Sequence, residues 1–299
     1  MTATSDSRKS HALISLFCIV IVVYMSGCSS MMPPEIREME KRTSAIAQKL
    51  QEENPHAHRD LTVDGRNLHY MDIAGGNKPL IIFIHGSPGS WSAWADYLSD
   101  PDLQKTAEMI SVDRPGFGGS DHGKVERSLK QQCKDISPLL DKAKPGQRVL
   151  LVGHSFGGPV AVRLAMDYGN KVTDILILAG SIDPDQECTL WYQYPADWPI
   201  LSWMIPSDLV VTNREIRALK SGLIEMLPLW PKVTQRVSLI QGEKDDLVPV
   251  ANADFAARVI TKAESLTIIR IPNQNHFLPW NQYALVKREI LRHLPSPAK

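Results

Sequence analysis

The chain reads as an α/β protein: a mostly parallel, roughly eight-stranded sheet with helices on both faces and a helical cap inserted after strand 6. Three observations predict it. Short apolar runs rich in β-branched residues recur along the chain, each closed by glycine or polar turn residues. They are too short for helices and suit strands buried on both faces. Helix-competent segments separate most of them, and one long irregular interval, rich in proline and aromatic residues, interrupts the rhythm.

The elements follow in order. Leu61–Val63 and Leu68–Ile73 flank Asp64-Gly65-Arg66-Asn67, the pattern of an antiparallel hairpin. Strands are then expected at Leu80–Ile84, Met109–Val112, Val149–Val152, Ile175–Leu178, Val237–Ile240 and Leu266–Ile271. Helices are expected at Trp94–Leu98, Ser128–Asp141, Pro159–Tyr168 and Asn252–Ile260. The interruption, residues 183–232, carries Trp191, Tyr192, Tyr194, Trp198 and Trp203. Irregular stretches of that length inside a compact domain are usually lids or binding loops, which makes it a cap.

The N-terminus differs in kind. Arg8 and Lys9 precede the apolar run Ala12–Met25, then come Ser26, Gly27 and Cys28. A charged region, a short apolar core and small residues describe a secretory signal. The run falls short of the roughly 20 apolar residues that cross a bilayer. Met25-Ser26-Gly27-Cys28 also resembles the lipobox of bacterial lipoproteins, with methionine where leucine is usual. That resemblance implies lipidation at Cys28, and Ser29 after it implies an outer-membrane address facing the periplasm. An uncleaved signal anchor extending towards Met32 is the alternative. Residues 33–55 are polar, with Ile36, Met39, Ile46 and Leu50 at helical spacing, which suits either a tether or a helix packed on the body.

Composition narrows the partners. The chain is 43% hydrophobic and 22% charged with zero formal net charge, which gives no support to a nucleic-acid partner. Cys133 and Cys188 lack metal-ligand spacing; they read as two thiols, though an oxidising compartment would permit a disulfide.

The chemistry gathers at strand ends. Gly153-His154-Ser155-Phe156-Gly157 directly follows the run Val149–Val152 and precedes a helix-competent segment. Glycines two positions either side allow a sharp turn that lifts the serine hydroxyl out of the sheet beside a helix N-terminus. A serine needs a histidine to take its proton, and the histidine needs a carboxylate to hold its tautomer. Gly242-Glu243-Lys244-Asp245-Asp246-Leu247-Val248-Pro249 follows one later strand and His276-Phe277 follows the last. The chain order Ser, Asp, His is that of the elbow type of triad.

At this point the chain resembles the α/β-hydrolase superfamily. The likeness rests on the elbow, the acid turn and the late histidine. His85-Gly86-Ser87-Pro88-Gly89 and Asp113-Arg114-Pro115-Gly116-Phe117-Gly118-Gly119-Ser120 add to it. The N-terminal pattern and the lipobox resemblance imply a signal peptide at 1–27 and a lipidated tether at 28–58. The hydrolase likeness covers nearly everything from about Leu61 onward and implies a hydrolase domain at 59–299. By this likeness Ser155 is the nucleophile, His276 the base and Asp245 the acid, with Asp246 and, more distantly, Asp183 as rival acids. The oxyanion hole falls to the backbone N–H groups of Ser87 and Phe156. His154, His85 and Gly86 shape the turns, and the 113–120 stretch is assigned structure without chemistry. Trp91, Trp94, Trp191 and Trp198 are expected to line an apolar substrate pocket.

Members with aspartate at the elbow, the haloalkane dehalogenases and epoxide hydrolases, form alkyl-ester intermediates. Serine here implies an acyl-enzyme, so the expected substrate is a small ester-like molecule, with no metal and no cofactor required. Carbon–carbon bond hydrolase, thioesterase, iminopeptidase and haloperoxidase-like chemistries stay open on the same fold. The rival of another class is a non-catalytic envelope lipoprotein on a hydrolase scaffold.

Overall fold

The computed structural model describes residues 34–73, 75–188, 193–194, 198, 202–203 and 205–294. The proposed signal, Cys28 and Trp191 lie outside them. Among the described residues, eight strands form one sheet in the order β1-β2-β4-β3-β5-β6-β7-β8. They are β1 (His58–Val63), β2 (Arg66–Ile73), β3 (Leu80–Ile84), β4 (Glu108–Val112), β5 (Val149–His154), β6 (Asp174–Leu178), β7 (Arg236–Gly242) and β8 (Ser265–Ile271). The β1–β2 hairpin and the β2–β4 pair are antiparallel. Every other pairing is parallel. The hairpin turn carries Asp64 and Gly65 at positive φ, as its Asp-Gly sequence favours.

Strand alternation sorts the apolar residues into two cores. Ile82 and Ile84 of β3 face one core with Leu129, Cys133, Val160, Leu164 and Phe255. Ile81 and Phe83 face the other with Trp94, Tyr97, Leu103, Val286 and Ile290. Successive side chains of a strand point to opposite faces, so a run such as Leu80–Ile84 must be apolar throughout.

The longer helices are α1 (Pro34–Glu53), α2 (Leu129–Ile136), α3 (Gly157–Asp167), α4 (Ser207–Met226), α5 (Ala251–Val259) and α6 (Tyr283–His293). Ser128 caps α2 by accepting a hydrogen bond from Gln131 N–H. Its predicted helix to Asp141 instead continues as a 3₁₀ turn over Ser137–Lys142, because Pro138 removes a donor and restricts the backbone before it. α1 takes the packed-helix alternative expected for the polar N-terminal stretch. Its second half packs on the body through Ala47 and Leu50, and its first turns are largely exposed. Arg42 reaches Asp96 at 2.6 Å.

Cys133 is buried and Cys188 exposed, and both are free thiols. Among the described residues no helix is long and apolar enough to cross a membrane.

Candidate active site

Register builds the site. In the parallel ladder of β3 with β5, Ile84 lies opposite Gly153. The residues that follow, His85–Ser87 from one strand and His154–Ser155 from the other, therefore emerge side by side. Ser155 sits at φ +54°, in the left-handed region that a residue with a Cβ rarely adopts. The flanking glycines make that turn possible. A Cβ on Gly153 would meet Gly157 O at 2.2 Å, and one on Gly157 would meet Ile84 O at 2.2 Å. Strain held by a closely packed backbone is typical of functional turns.

The residues expected as base and acid arrive from β8 and β7. Gly242 pairs with Ile271 at the end of that ladder, and Lys244 N–H donates to Gln274 O at 2.9 Å, tying the two turns together. His276 Nδ1 donates to Asp245 Oδ2 at 2.8 Å. The other oxygen, Asp245 Oδ1, accepts from the amides of Leu247 (2.9 Å) and Val248 (2.8 Å). Gln241 Nε2 adds a bond to Oδ2 at 3.2 Å. Four donors thus hold one carboxylate, and Nδ1 as donor leaves the lone pair on His276 Nε2. Of the rival acids, Asp246 is exposed. Asp183 caps the 3₁₀ turn at Pro184–Gln186 by accepting from Asp185 N–H.

His154 joins the base to the elbow. Its Nε2 donates to the carbonyl of His276 at 3.0 Å, and the two rings lie 4.8 Å apart. Burial, then the neighbouring His276, holds His154 well below the usual imidazole range, so it is neutral and structural. Ser155 itself is half-buried. Among the described residues no hydrogen bond joins its Oγ to the His276 ring, a contact that commonly closes only around substrate.

The oxyanion side lies against the serine: a Cβ on Gly86 would meet Ser155 Cβ at 2.9 Å. Phe156 is buried at the start of α3. Among the described residues no hydrogen bond occupies the amide of Phe156 or of Ser87. His85 is pushed down to about 3 by burial and by the adjacent Arg114 charge. Its neutral ring donates from Nδ1 to Gly86 O at 2.7 Å and accepts at Nε2 from Arg114 N–H at 2.9 Å. Asp113 accepts from the amides of Trp91 (2.6 Å) and Gly119 (2.8 Å), as a turn-shaping residue should.

Two tryptophans depart from expectation. Trp94 is 1% exposed and packs on Phe83 and Tyr97 in the second core, so it is core rather than pocket wall. Trp91 is likewise buried, edge-on to His58. The cause is the 3₁₀ turn at Trp91–Trp94, which follows the oxyanion loop and turns both rings onto the sheet. Trp198 is 61% exposed and so contributes no enclosed wall.

The structure also adds a residue absent from the sequence expectations, Glu215, and gives Arg114 of the structural turn a partner. Arg114 and Glu215 are completely buried and form a bidentate ion pair at 2.8 and 2.9 Å. A signal was available. Val211, Glu215, Leu219 and Leu223 follow one another at four-residue steps on the buried stripe of α4, and a carboxylate on such a stripe demands a partner. Among the described residues no group of three or more His, Cys, Asp or Glu is placed to hold a metal ion.

This sheet order, elbow and pair of late turns make the fold that of the α/β-hydrolases. A family model described as the alpha/beta hydrolase fold matches residues 79–202. Epoxide hydrolase 4 of Mus musculus is 27% identical over 125 residues, which is 41% of this chain and 34% of that protein. A 2-hydroxy-6-oxononadienedioate/2-hydroxy-6-oxononatrienedioate hydrolase of Burkholderia vietnamiensis is 34% identical over 122 residues, 39% of this chain and 42% of that protein. The chain thus matches 34% and 42% of the length of these two relatives. The enol-lactonase of Burkholderia xenovorans LB400 superposes with a TM-score of 0.60 at 18% identity, covering 79% of this chain and 99% of that one. The proteins to which the chain is similar are hydrolases.

Proposed function

We propose that the protein is a serine hydrolase that cleaves a carboxylic ester, or a related acyl bond, of a small and modestly apolar substrate. The observation that carries this reading is the His276–Asp245 pair at 2.8 Å, bonded through His154 to a serine held at φ +54°. Ser155 Oγ attacks the acyl carbon as its proton passes to His276 Nε2, and Asp245 stabilises the imidazolium that forms. The carbonyl oxygen takes up the negative charge, facing the amides of Ser87 and Phe156. The tetrahedral centre collapses, the bond to the alkoxide breaks, and His276 returns the proton to that leaving group. Water, deprotonated by the same histidine, then releases the acid from Ser155. Similarity to an epoxide hydrolase covers 41% of the chain and does not alter this reading, because the elbow oxygen here belongs to serine.

The test is turnover of short- and medium-chain p-nitrophenyl esters by protein lacking residues 1–28. The expected result is activity that Ser155→Ala lowers by about 10⁶ in kcat, with fluorophosphonate labelling of the wild type alone. No turnover and no labelling of the wild type would overturn the proposal and favour the non-catalytic scaffold. A second reading, carbon–carbon bond hydrolysis, is favoured by the 34% identity to the Burkholderia vietnamiensis enzyme. A 2-hydroxy-6-oxo-dienoate turned over much faster than any ester would select it.

We further propose that Cys28 is lipidated and tethers the enzyme to the bacterial outer membrane, facing the periplasm. Several acyl chains, at about 0.8 kcal/mol per buried CH₂, suffice for a stable anchor. Cys28→Ser should abolish incorporation of labelled fatty acid, and unchanged labelling would exclude that cysteine.

A further inference from the structure

The Arg114 guanidinium contacts all three residues of the His85–Ser87 loop and the ring of Phe156. Nε donates to His85 O at 2.9 Å, and Nη2 donates to Gly86 O at 2.9 Å and to Ser87 Oγ at 2.5 Å. Three successive residues of one loop are thus bonded to a single planar group. The same guanidinium lies over the Phe156 ring, 4.5 Å from its centroid. Both residues whose amides are expected to form the oxyanion hole are therefore braced by one side chain.

The geometry of the peptide unit gives that brace a consequence. In a trans peptide the carbonyl oxygen and the following N–H point in opposite directions across one rigid plane. Gly86 O and Ser87 N–H belong to the same plane. Gly86 O is bound by Arg114 Nη2 and by His85 Nδ1, and the His85 tautomer is itself set by the Arg114 amide. Fixing the oxygen on the Arg114 side aims the Ser87 N–H the other way. An oxyanion donor is effective only if it is aimed before charge develops.

Glu215 brings the cap into this arrangement. It lies on α4 and is the carboxylate that neutralises Arg114; it also accepts from Ser87 Oγ. Gln132 of α2 completes the cluster, accepting from Arg114 at 3.0 Å and donating to Glu215 at 3.2 Å. We propose that Arg114 is the positioning residue of the oxyanion hole, and that Glu215 makes its alignment depend on the seating of the cap helix. Within the hydrolase reading, on which this rests, the cap then governs transition-state stabilisation as well as access.

The experiment compares Arg114→Met, Glu215→Leu, the double variant and Arg114→Lys with wild type. Each is measured for urea midpoint, kcat and KM on a p-nitrophenyl ester, and affinity for an alkyl boronic acid that forms a tetrahedral adduct with Ser155. Arg114→Met and Glu215→Leu each leave a buried charge without a partner, whereas the double variant replaces both charges with apolar side chains and recovers the wild-type midpoint. The expected result is that the double variant still loses about 10²–10³ in kcat, with KM within about threefold and boronate affinity falling in step. Arg114→Lys, which lacks the planar fork, recovers only part of that loss. If the double variant does not fold, Glu215→Gln takes its place, with a loss of about tenfold in kcat at unchanged KM. Wild-type kcat in whichever of the two folds overturns the proposal. A wild type that neither turns over ester nor labels with fluorophosphonate removes the hydrolase reading and this one with it. A wild type that does both leaves a negative result to count against Arg114 alone.

Discussion

The proposed base side and the proposed oxyanion side of the site follow the C-terminal ends of parallel strands of one sheet, yet they are held by different means. His276 and Asp245 stand on adjacent parallel strands, joined by backbone bonds between their turns and by a carboxylate saturated with local donors. Everything that aims them belongs to the body. The His85–Ser87 loop is aimed instead by side chains, Arg114 from the turn after β4 and Glu215 from the cap. The first arrangement is local and rigid. The second joins segments about a hundred residues apart in sequence through a buried ion pair, and so reports whether the cap is seated.

The largest effect that would sharpen this contrast lies on the base side. Asp245→Asn should lower kcat by roughly 10⁴ by permitting the wrong imidazole tautomer, while Asp246→Asn should leave it near wild type, because that side chain is exposed. Steady-state ester hydrolysis by the two variants decides the matter, and a larger loss in Asp246→Asn would reassign the acid.

Next comes the backbone joint itself. A Cβ on Gly242 would meet Gln274 O at 2.3 Å and Asn275 O at 2.8 Å, just where the acid and histidine turns are tied. Gly242→Ala should cost about 1–3 kcal/mol, as overpacking does, and should lower kcat along with stability. Urea unfolding beside kinetics checks it; a stable variant with full activity would mean that the turns are less firmly joined than their bonds indicate.

The smallest effect belongs to the oxyanion side in acid. His85 has its pKa depressed from 6.5 to about 3 by burial and by Arg114. Between those values the unfolded chain binds a proton that the folded ring refuses, so stability falls as pH drops from 6.5 towards 3. Protonation would also remove the Nε2 acceptor that the Arg114 amide requires. An NMR titration should find the His85 ring neutral at pH 5, and a midpoint near 6.5 would contradict the brace.

Much of this was legible in one dimension. Each expected strand is present within a few residues, because a strand buried on both faces must be a continuous apolar run. The two tryptophans after the oxyanion loop were misread, since an aromatic residue near a site has the same composition whether its ring faces substrate or core. Only the turn that carries Trp91 and Trp94 sets that direction. Arg114 reads in one dimension only as part of a structural turn, for a related reason: its partner lies on α4, far along the chain.

What the sequence determined by itself was therefore whatever depends on neighbours in the chain: strand runs, glycine turns, and the order serine, aspartate, histidine. A turn needs particular residues at fixed offsets, and those offsets can be read. The tertiary structure alone decided that Asp245 rather than Asp246 meets His276, that two tryptophans serve the core, and that a cap carboxylate neutralises the arginine beneath the oxyanion loop. Side-chain direction and long-range charge pairing depend on where distant elements pack.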